Sequence, residues 1–560
     1  MTAQRNITTG GGISDQMLQE IKQAQRQTAT ADRALRNALA GTAINTLATN
    51  PNNPATNDKY FSHSVPSKGI TDQESSGRCW LFTGLNVLRA RMIKQYDLGA
   101  FQFSQAYCFF YDQLEKSNLF LQAVIDGAKK PMDDKLNDWL FHNPLSDGGT
   151  FCGVQDVVMK YGVVPAEIMP ETYNANNTSR MSSILQLKLR QWGLELRQAV
   201  EKGEKPAQIQ KRKTAMLATV YHILSICLGE PPTQFTWTMK DASGKPISTK
   251  EYTPQSFYQE YIGIDLKNNY VLLMNDPSRP YHKTYTIDMD RHSYDGTQWT
   301  FLNLPMEEIK PLAIASIKDS TMMYSSCDVG KCYNSKTGVL SLDNYDYASL
   351  FGTDFPMNKA DRIRTFASAS SHAMTLMAVD LDANDKPTKW KVENSWGANS
   401  GVAGHLIMTD GWFDEYMFRV VVDKKYVPEN ILKLSQQKPI LLPAWVPLFA
   451  EDKLGQAEEE GRPPRPSPAC LYALRLGHKL LAQGAANSQK RGESPGSLLV
   501  FYKGRFYKLV SKVGWCFYLA WMSFRLSHRI FLFFIQSRSP LRSFMENKNL
   551  RHDSQKSIAS

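Results

Sequence analysis

The chain has 560 residues, of which 42% are hydrophobic and 11% aromatic, and this composition excludes a disordered chain, a collagen-like chain and a small disulfide-stapled scaffold. The net charge of +11 is concentrated near one end, because residues 451–560 hold 18 basic and 8 acidic side chains. Residues 1–450 hold 47 basic and 46 acidic side chains, so the main body is electrically neutral and has no composition typical of nucleic-acid binding.

The eight cysteines are scattered along the chain, a pattern typical of reduced thiols in a cytosolic protein. Cys327 and Cys332 form a lone C-x4-C without a second pair, so we expect no zinc site. No other metal and no cofactor is expected. The first residues, MTAQRNITTGGGISDQ, lack an apolar signal-peptide core. No uncharged apolar run reaches the roughly 18 residues of a transmembrane helix, and we therefore expect a cytoplasmic protein without a membrane span.

The predicted elements begin with a helical stretch over Ser14–Leu39, rich in Gln, Ala and Leu, which a polar loop (NPNNPATND) follows. The next informative segment is QESSGRCWLFTGLNVLRARMIKQ. From Leu81 to Met92 its apolar residues recur at intervals of four, three and four, which predicts a buried helix beginning near Cys79. Residues 180–230 have the pattern of two charged amphipathic helices joined near Gly203–Pro206.

From Phe366 onward the pattern changes to short β-rich runs separated by Gly, Asp, Asn and Pro. The predicted strands are Ala373–Val379, Lys389–Asn394, His405–Met408 and Tyr416–Val422. Helices first and strands later predict the α+β class. Beyond residue 452, the acidic cluster and the Pro-rich GRPPRPSP are typical of a linker, and the segment after them has no sustained period, so its fold stays unassigned.

Three separated residues have the chemistry of a thiol enzyme. Cys79 lies at the predicted start of a helix, where the helix dipole favours a thiolate by ~0.3–1 kcal/mol. His372 begins one predicted strand, and Asn394 ends another, where its side-chain oxygen is placed to fix the tautomer of a histidine. Gln73, six residues before Cys79, is placed to donate to an oxyanion together with the Cys79 backbone N–H.

Each of these residues taken singly is more often structural. A cysteine before an apolar helix is usually a small core residue, a lone histidine is usually a hydrogen-bonded structural residue, and Asn and Gln in loops usually cap or turn the chain. The joint pattern, together with longer motifs, favours the catalytic interpretation. These motifs include QESSGRCWLF, NPLSDGGTFCGVQDVVMKYG, SHAM, VENSWG and LIMTDGWFDEYMFRVVVDKKYVPE.

Over roughly Lys68 to Ala450 the motifs resemble, in order, those of the papain-like cysteine peptidases, and in particular the bleomycin hydrolase and bacterial aminopeptidase C branch. The resemblance implies an α+β papain-like fold with a large helical insertion. It also implies a homohexameric, cytoplasmic cysteine aminopeptidase that acts on peptides through an acyl-enzyme. His372 lies 293 residues after Cys79, whereas plain papain-type enzymes have ~130–150, so about 150 extra residues must be accommodated.

Carried over by position, the resemblance gives five residues a role. Cys79 is expected to be the nucleophile, His372 the general base and acid, and Asn394 the residue that orients the histidine. Gln73 is expected to donate to the oxyanion, and Trp396 to shield the Asn394–His372 hydrogen bond from water, a role compatible with an ordinary aromatic core residue.

The expected organisation has seven segments. They are an N-terminal arm (1–60), a helix-rich papain-like half with the nucleophile (61–175), a helical insertion (176–260), the remaining insertion and a connecting segment (261–365), a β-rich half with the histidine and asparagine (366–435), a C-terminal arm directed to the active site (436–452) and a basic extension (453–560).

The chain departs from the family pattern after the LPAW motif. Family members normally end a few residues later, with the terminal carboxylate in the cleft beside the amino group of the substrate. Here Val446 stands where an Asp is usual, and 108 residues follow Asp452. The tail is interpreted as a basic module for nucleic acid or anionic membrane, as a removable extension, or as translation of sequence that is not normally coding.

The tail leaves alternative functions open. A papain-fold protein whose tail makes its activity endopeptidase-like or suppresses it is one, and a nucleic-acid- or membrane-binding protein is another. Within the neutral body, nucleic-acid binding has only the run Lys211-Arg212-Lys213 in its favour, and such a run is usually a solvated helix face.

Overall fold

The computed structural model describes residues 11–25, 29–56 and 58–449, and the backbone of four strands in the tail, at 497–502, 505–509, 517–521 and 531–535. The chain divides into two compact units, Met1–Arg462 and Pro463–Ser560. In the second unit the four strands form one antiparallel sheet. Most of the basic extension otherwise lies outside the described residues, and so do residues 450–452 of the predicted arm. Within the described part of the chain, no helix has both the length and the apolar character needed to cross a membrane.

The helices of the described residues confirm the helical predictions. In chain order they are α1 Asp15–Gln25, α2 Ala29–Leu39, α3 Ile44–Ala48, α4 Cys79–Tyr96, α5 Gln105–Asp126, α6 Lys135–His142, α7 Phe151–Tyr161, α8 Tyr173–Asn176, α9 Ser179–Glu201, α10 Pro206–Leu228, α11 Pro254–Tyr261, α12 Met306–Lys318, α13 Tyr347–Phe351, α14 Lys359–Arg364, α15 Asp410–Tyr416 and α16 Glu429–Ser435. The two charged helices predicted over 180–230 are α9 and α10, and Pro206 opens the second at a position where the missing N–H costs nothing.

The strands of the main body form two sheets. They are β1 His63–Ser64, β2 Phe235–Lys240, β3 Pro246–Tyr252, β4 Tyr270–Met274, β5 Lys283–Ile287, β6 Thr300–Asn303, β7 Met323–Cys327, β8 Tyr333–Asn334, β9 Val339–Leu340, β10 His372–Leu381, β11 Pro387–Glu393, β12 His405–Thr409, β13 Met417–Asp423 and β14 Ile440–Leu442. Strands β2 and β3 pair as a hairpin of their own. In the described residues the other twelve form one sheet, in the order β14-β5-β6-β4-β13-β7-β10-β11-β12-β9-β8, with β1 paired to β10.

The four strands predicted after Phe366 correspond to β10, β11, β12 and β13, but the same sheet also takes β4 to β9 from residues 270–340. The central strand β7 is an example of what the pattern missed. All five of its residues, MYSSC, are buried, so it lacks the apolar–polar alternation by which a half-buried strand is detected. It pairs with both β10 and β13 and so lies beside the strand that begins at His372.

Helix α4 lies where the helical and sheet cores meet. One core is built largely from α4, α5, α7, α9 and α10, and the other from the sheet and α12. Val87 of α4 packs against both cores, and the helix contacts β7 and β10 on one side and α5 and α7 on the other. Burial of a Leu or Phe side chain stabilises a fold by ~1.5–3 kcal/mol, so the buried faces of α4 fix its position firmly and with it the position of Cys79 at its first turn.

Candidate active site

Cys79 is the first residue of α4 and its thiol is only partly buried. No side-chain oxygen caps this end of the helix: the N-cap residue is Arg78, which makes no capping hydrogen bond. The positive end of the helix dipole is therefore not neutralised by a capping side chain, and it favours a thiolate at Cys79.

The turn before Cys79 is fixed by the buried side chain of Arg78, which the sequence analysis did not single out. Its guanidinium pairs with Glu171 at 2.8 Å and lies 5.1 and 5.3 Å from the rings of Phe82 and Phe109. The sequence feature that could have pointed to Arg78 is the polar run QESSGR directly before an apolar helix. Sequence alone, however, does not show whether an arginine at that position points inward.

His372 and Asn394, which lie 22 residues apart, are brought together by the pairing of β10 with β11. The His372 Nε2–H donates to the Asn394 Oδ1 at 2.8 Å, and both side chains are about 1% exposed. The same amide oxygen accepts the Ser395 backbone N–H at 2.7 Å. Because Oδ1 accepts two hydrogen bonds, the amide is held with its oxygen toward the ring, and this arrangement selects the tautomer protonated at Nε2.

Trp396 packs against the histidine of this pair. Its ring centroid lies 4.8 Å from that of His372, and the residue is 6% exposed. The chain turns at Gly397, whose φ of +78° and close approach to Asp72 require a glycine, since a Cβ there would lie 2.7 Å from the Asp72 Oδ2. This turn holds Trp396 over the histidine.

Gln73 is buried and connects the loop before Cys79 to the end of β11. Its backbone N–H donates to the Ser395 carbonyl at 2.8 Å, and its side-chain oxygen accepts the Ser395 hydroxyl at 2.7 Å. Its side-chain nitrogen donates to the Ser76 carbonyl at 2.6 Å. An amide nitrogen has two donor hydrogens, so a second one remains for another acceptor.

A second thiol lies close to the pair. Cys327 is the cross-strand partner of His372, and its carbonyl accepts the Ser371 N–H at 3.0 Å. Burial raises the pKa of the Cys327 thiol well above its ordinary value, and the nearby Asp328 and Cys79 raise it further. Cys327 is therefore held protonated, unlike a thiol at a helix N-terminus. Within the described residues no group of three or more His, Cys, Asp or Glu side chains could hold a metal ion.

The chain after β14 returns to the neighbourhood of His372. The Leu448 carbonyl accepts the Ser370 N–H at 3.3 Å, two residues before the histidine. Val446 is 5% exposed, and the ring of Trp445 lies 4.3 Å from the Lys135 ammonium. At this buried position a valine is accommodated by apolar packing, whereas an aspartate would need a hydrogen-bond or ion-pair partner.

Comparison with known proteins identifies the family of the chain. The sequence profile of the Peptidase C1-like family matches residues 12–449. The chain belongs to this family. Its relatives in the family include mouse and human bleomycin hydrolase, each 41% identical over 401 residues, which are 70% of this chain and 88% of the relative. Aminopeptidase C of Lactobacillus delbrueckii subsp. lactis is 38% identical over 398 residues, again 70% of this chain and 88% of the relative.

The fold of the family is papain-like, and a solved member supports the architecture described above. The crystal structure of PepW from Lactobacillus rhamnosis is 36% identical, superposes with a TM-score of 0.75, and covers 79% of this chain and 99% of its own. The resemblance stated from sequence motifs alone is thus confirmed at the level of the family.

Proposed function

We propose that the chain is a cysteine aminopeptidase that removes N-terminal residues from peptides, with Cys79 as nucleophile, His372 as general base and acid, and Asn394 as the orienting residue. The enzyme class follows from membership of the Peptidase C1-like family and from relatives named bleomycin hydrolase and aminopeptidase C. The observation that carries the residue assignment is the buried His372–Asn394 hydrogen bond on the sheet against which α4 packs, with Cys79 at the helix start.

The first half of the reaction forms an acyl-enzyme. The Cys79 thiol passes its proton to His372 Nδ1, because Nε2 is already committed to Asn394, and the thiolate attacks the carbonyl carbon of the first peptide bond. The Gln73 amide and the Cys79 backbone N–H stabilise the oxyanion. The C–N bond then breaks as the His372 imidazolium gives its proton to the departing amine, which leaves a thioester on Cys79.

The second half releases the N-terminal residue. His372, again neutral, takes a proton from water while the water oxygen attacks the thioester carbonyl. Collapse of the tetrahedral intermediate expels the Cys79 thiolate and yields a free amino acid. His372 ends the cycle protonated beside the thiolate, which is the starting ion pair.

Restriction to N-terminal residues is proposed to come from the arm over 436–452. The contact between Leu448 and Ser370 supports this proposal, because it fixes the arm two residues from His372. We also propose that residues 176–260 are a helical insertion and that residues 453–560 are a basic extension. The protein is further proposed to be a homohexamer located in the cytoplasm.

Nucleic-acid binding by the main body is not favoured. In the run Lys211-Arg212-Lys213, Lys213 is 7% exposed and donates to the Gln122 side-chain oxygen at 2.6 Å. Arg212 pairs with Glu204 at 2.9 Å. Two of the three cations are thus engaged within the chain, and a free basic surface is what phosphate contacts need.

The test is active-site labelling. Iodoacetamide at about pH 6 should label one thiol per chain, at Cys79, in step with the loss of aminopeptidase activity on an aminoacyl fluorogenic substrate, because the ion pair keeps a thiolate there below the ordinary cysteine pKa. A Cys332→Ala variant is the matched control, since Cys332 is also partly buried and its burial raises its pKa. Labelling spread over several cysteines without preference for Cys79 would contradict the proposal.

A further inference from the structure

We propose that His292, from the loop between β5 and β6, is a positioning residue that holds the loop 146–150 against the first turn of α4. The inference rests on the proposed function and adds a residue that neither the sequence analysis nor the family resemblance assigned. His292 is 3% exposed and touches the site through other groups rather than directly.

The loop 146–150 borders the nucleophile. The Asp147 carboxylate accepts the Gly77 backbone N–H at 3.0 Å, two residues before Cys79. The Asp147 carbonyl accepts the Trp80 indole N–H at 2.8 Å, one residue after Cys79. The position of the loop therefore fixes the chain on both sides of the nucleophile.

His292 holds the end of this loop through its ring nitrogens. Its Nδ1–H donates to the Asp112 carboxylate on α5, and its Nε2 accepts the Thr150 backbone N–H at 3.3 Å. The ring also lies edge-on to Trp80, with centroids 4.6 Å apart. Because Nε2 accepts the Thr150 hydrogen bond, the ring can hold the loop only when it is neutral.

Asp112 joins His292 to a second contact on the same loop. Lys116 pairs with Asp112 at 2.9 Å and donates to the carbonyls of Ser146 and Gly148 at 3.0 and 2.7 Å. Gln113 donates to the same carboxylate at 3.0 Å and to the Ser146 carbonyl at 3.1 Å. One buried carboxylate thus orients three side chains that bind the loop backbone. His292, Lys116 and Gly148 line one cleft.

Two glycines make room for the ring. A Cβ on Gly149 or on Gly153 would lie 2.2 Å from the His292 Cε1. Neither glycine has the positive φ at which a side chain would be strained. The space occupied by His292 accounts for Gly153, and at Gly149 the Trp80 ring, 2.9 Å from such a Cβ, contributes as well. Glycine at these two positions therefore leaves the space that the histidine ring needs.

The charges that face the ring come from two elements. Asp112 and Lys116 on α5 oppose each other, and Asp290 is on the same loop as His292. Burial lowers the pKa of His292, Lys116 lowers it further, and the two carboxylates counteract this only in part. Protonation in acid would place an Nε2–H against the Thr150 N–H and push the loop away.

The experiment compares two substitutions of His292 that each keep one of its hydrogen bonds. In His292→Gln the amide oxygen replaces Nε2 as acceptor for Thr150, whereas in His292→Asn the shorter amide reaches Asp112 but not Thr150. Rates are measured on an aminoacyl fluorogenic substrate and divided by the active thiols that iodoacetamide titrates. Tyr294→Phe, on the exposed side of the same loop, is the control for general effects of mutation.

We expect His292→Asn to lower kcat/KM per active site about tenfold, as expected for loss of one buried hydrogen bond, and His292→Gln to restore it to within about threefold of wild type. Equal kcat/KM in both variants, or a Gln variant as poor as the Asn variant, would overturn the proposal. If the Asn variant does not fold, the Gln variant decides, because a tenfold loss there overturns it and near-wild-type kcat/KM supports it. Absence of activity in the wild type would instead refute the proposed function.

Discussion

The two buried histidines near Cys79 differ in the element that carries them and in the partner that orients them. His372 begins β10 and donates to the neutral amide of Asn394, whereas His292 lies in a loop and donates to the carboxylate of Asp112. A neutral partner leaves the net charge of the ring free to change during a reaction. At His292, burial and the Lys116 charge lower the pKa more than the Asp112 carboxylate raises it, so the ring is held neutral. The same side chain is thus suited to carry a proton in one region and to hold a backbone N–H in the other.

The largest expected effect comes from removing Cys79, the nucleophile that acts with His372. Cys79→Ala should abolish peptide hydrolysis, because the other described cysteines that are fully buried, Cys108, Cys152 and Cys327, have raised pKa values and remain thiols. Turnover of an aminoacyl fluorogenic substrate is the measurement. Asn394→Ala should reduce the rate and leave measurable activity, since the ion pair still forms without its orienting residue. Wild-type rates in Cys79→Ala would show that the nucleophile is misassigned.

Gln73→Ala should lower kcat by about 10²-fold or more and change KM little, because an oxyanion donor acts mainly in the transition state. The measurement is steady-state kinetics with thiol titration. Gln73 also bonds to Ser395, so Ser395→Ala serves as the control for loss of that link alone. A Gln73 variant that raised KM and kept kcat would assign the side chain to substrate binding instead.

The tail should have a smaller effect, on the substrate amino group. If the arm enters the cleft as proposed, a chain ending near Asp452 would offer a carboxylate where the full chain would offer a neutral peptide, and a charge-assisted hydrogen bond contributes ~1.5–3 kcal/mol. We expect the truncated chain to have about 10- to 100-fold higher kcat/KM on an aminoacyl substrate and a stronger preference over its N-acetylated counterpart. Equal rates and equal preference, with an intact tail confirmed by mass spectrometry, would count against this role of the arm.

The smallest expected effect is on the pH dependence of stability, through the second buried histidine, His292. Burial lowers the folded-state pKa of His292 below its unfolded value of about 6.5. The unfolded chain therefore binds more protons there, so the stabilisation is present above pH 6.5 and is lost as the pH falls toward the folded pKa. The melting temperature of wild type should fall more between pH 7 and pH 5 than that of His292→Gln. Parallel slopes would mean that His292 does not titrate in this range.

The sequence predicted the candidate site better than its surroundings. Cys79, His372, Asn394, Gln73 and Trp396 lie in short motifs with local signals, and the structure brings His372, Asn394 and Trp396 together and connects Gln73 to them through Ser395. Helix α9 was equally clear, because its amphipathic period of 3.6 persists over 23 residues, whereas the second half of α10 is apolar on most sides and was less distinct.

What the sequence did not reveal depends on long-range contacts. The strand β7 has no period because both of its faces are buried, and it is recognisable only once β10 and β13 lie on either side. The pairing of His292 with Asp112 spans 180 residues, with ten helices and strands between them, and no local pattern marks either residue. Arg78 likewise looks like a solvent-exposed charge until Glu171 is placed beside it.

The space shared by His292, Gly149 and Gly153 constrains how this part of the protein can evolve. Adding a methyl group at either glycine brings a carbon within 2.2 Å of the ring, so such a change is tolerated only after the ring has been replaced by a smaller side chain. Replacing the ring first by an aliphatic side chain leaves a buried void and a Thr150 amide without its acceptor, whereas a glutamine supplies that acceptor. A side chain at either glycine is thus unfavourable while the ring is present, and mutational scanning one position at a time would score both glycines as invariant while missing their epistasis with His292.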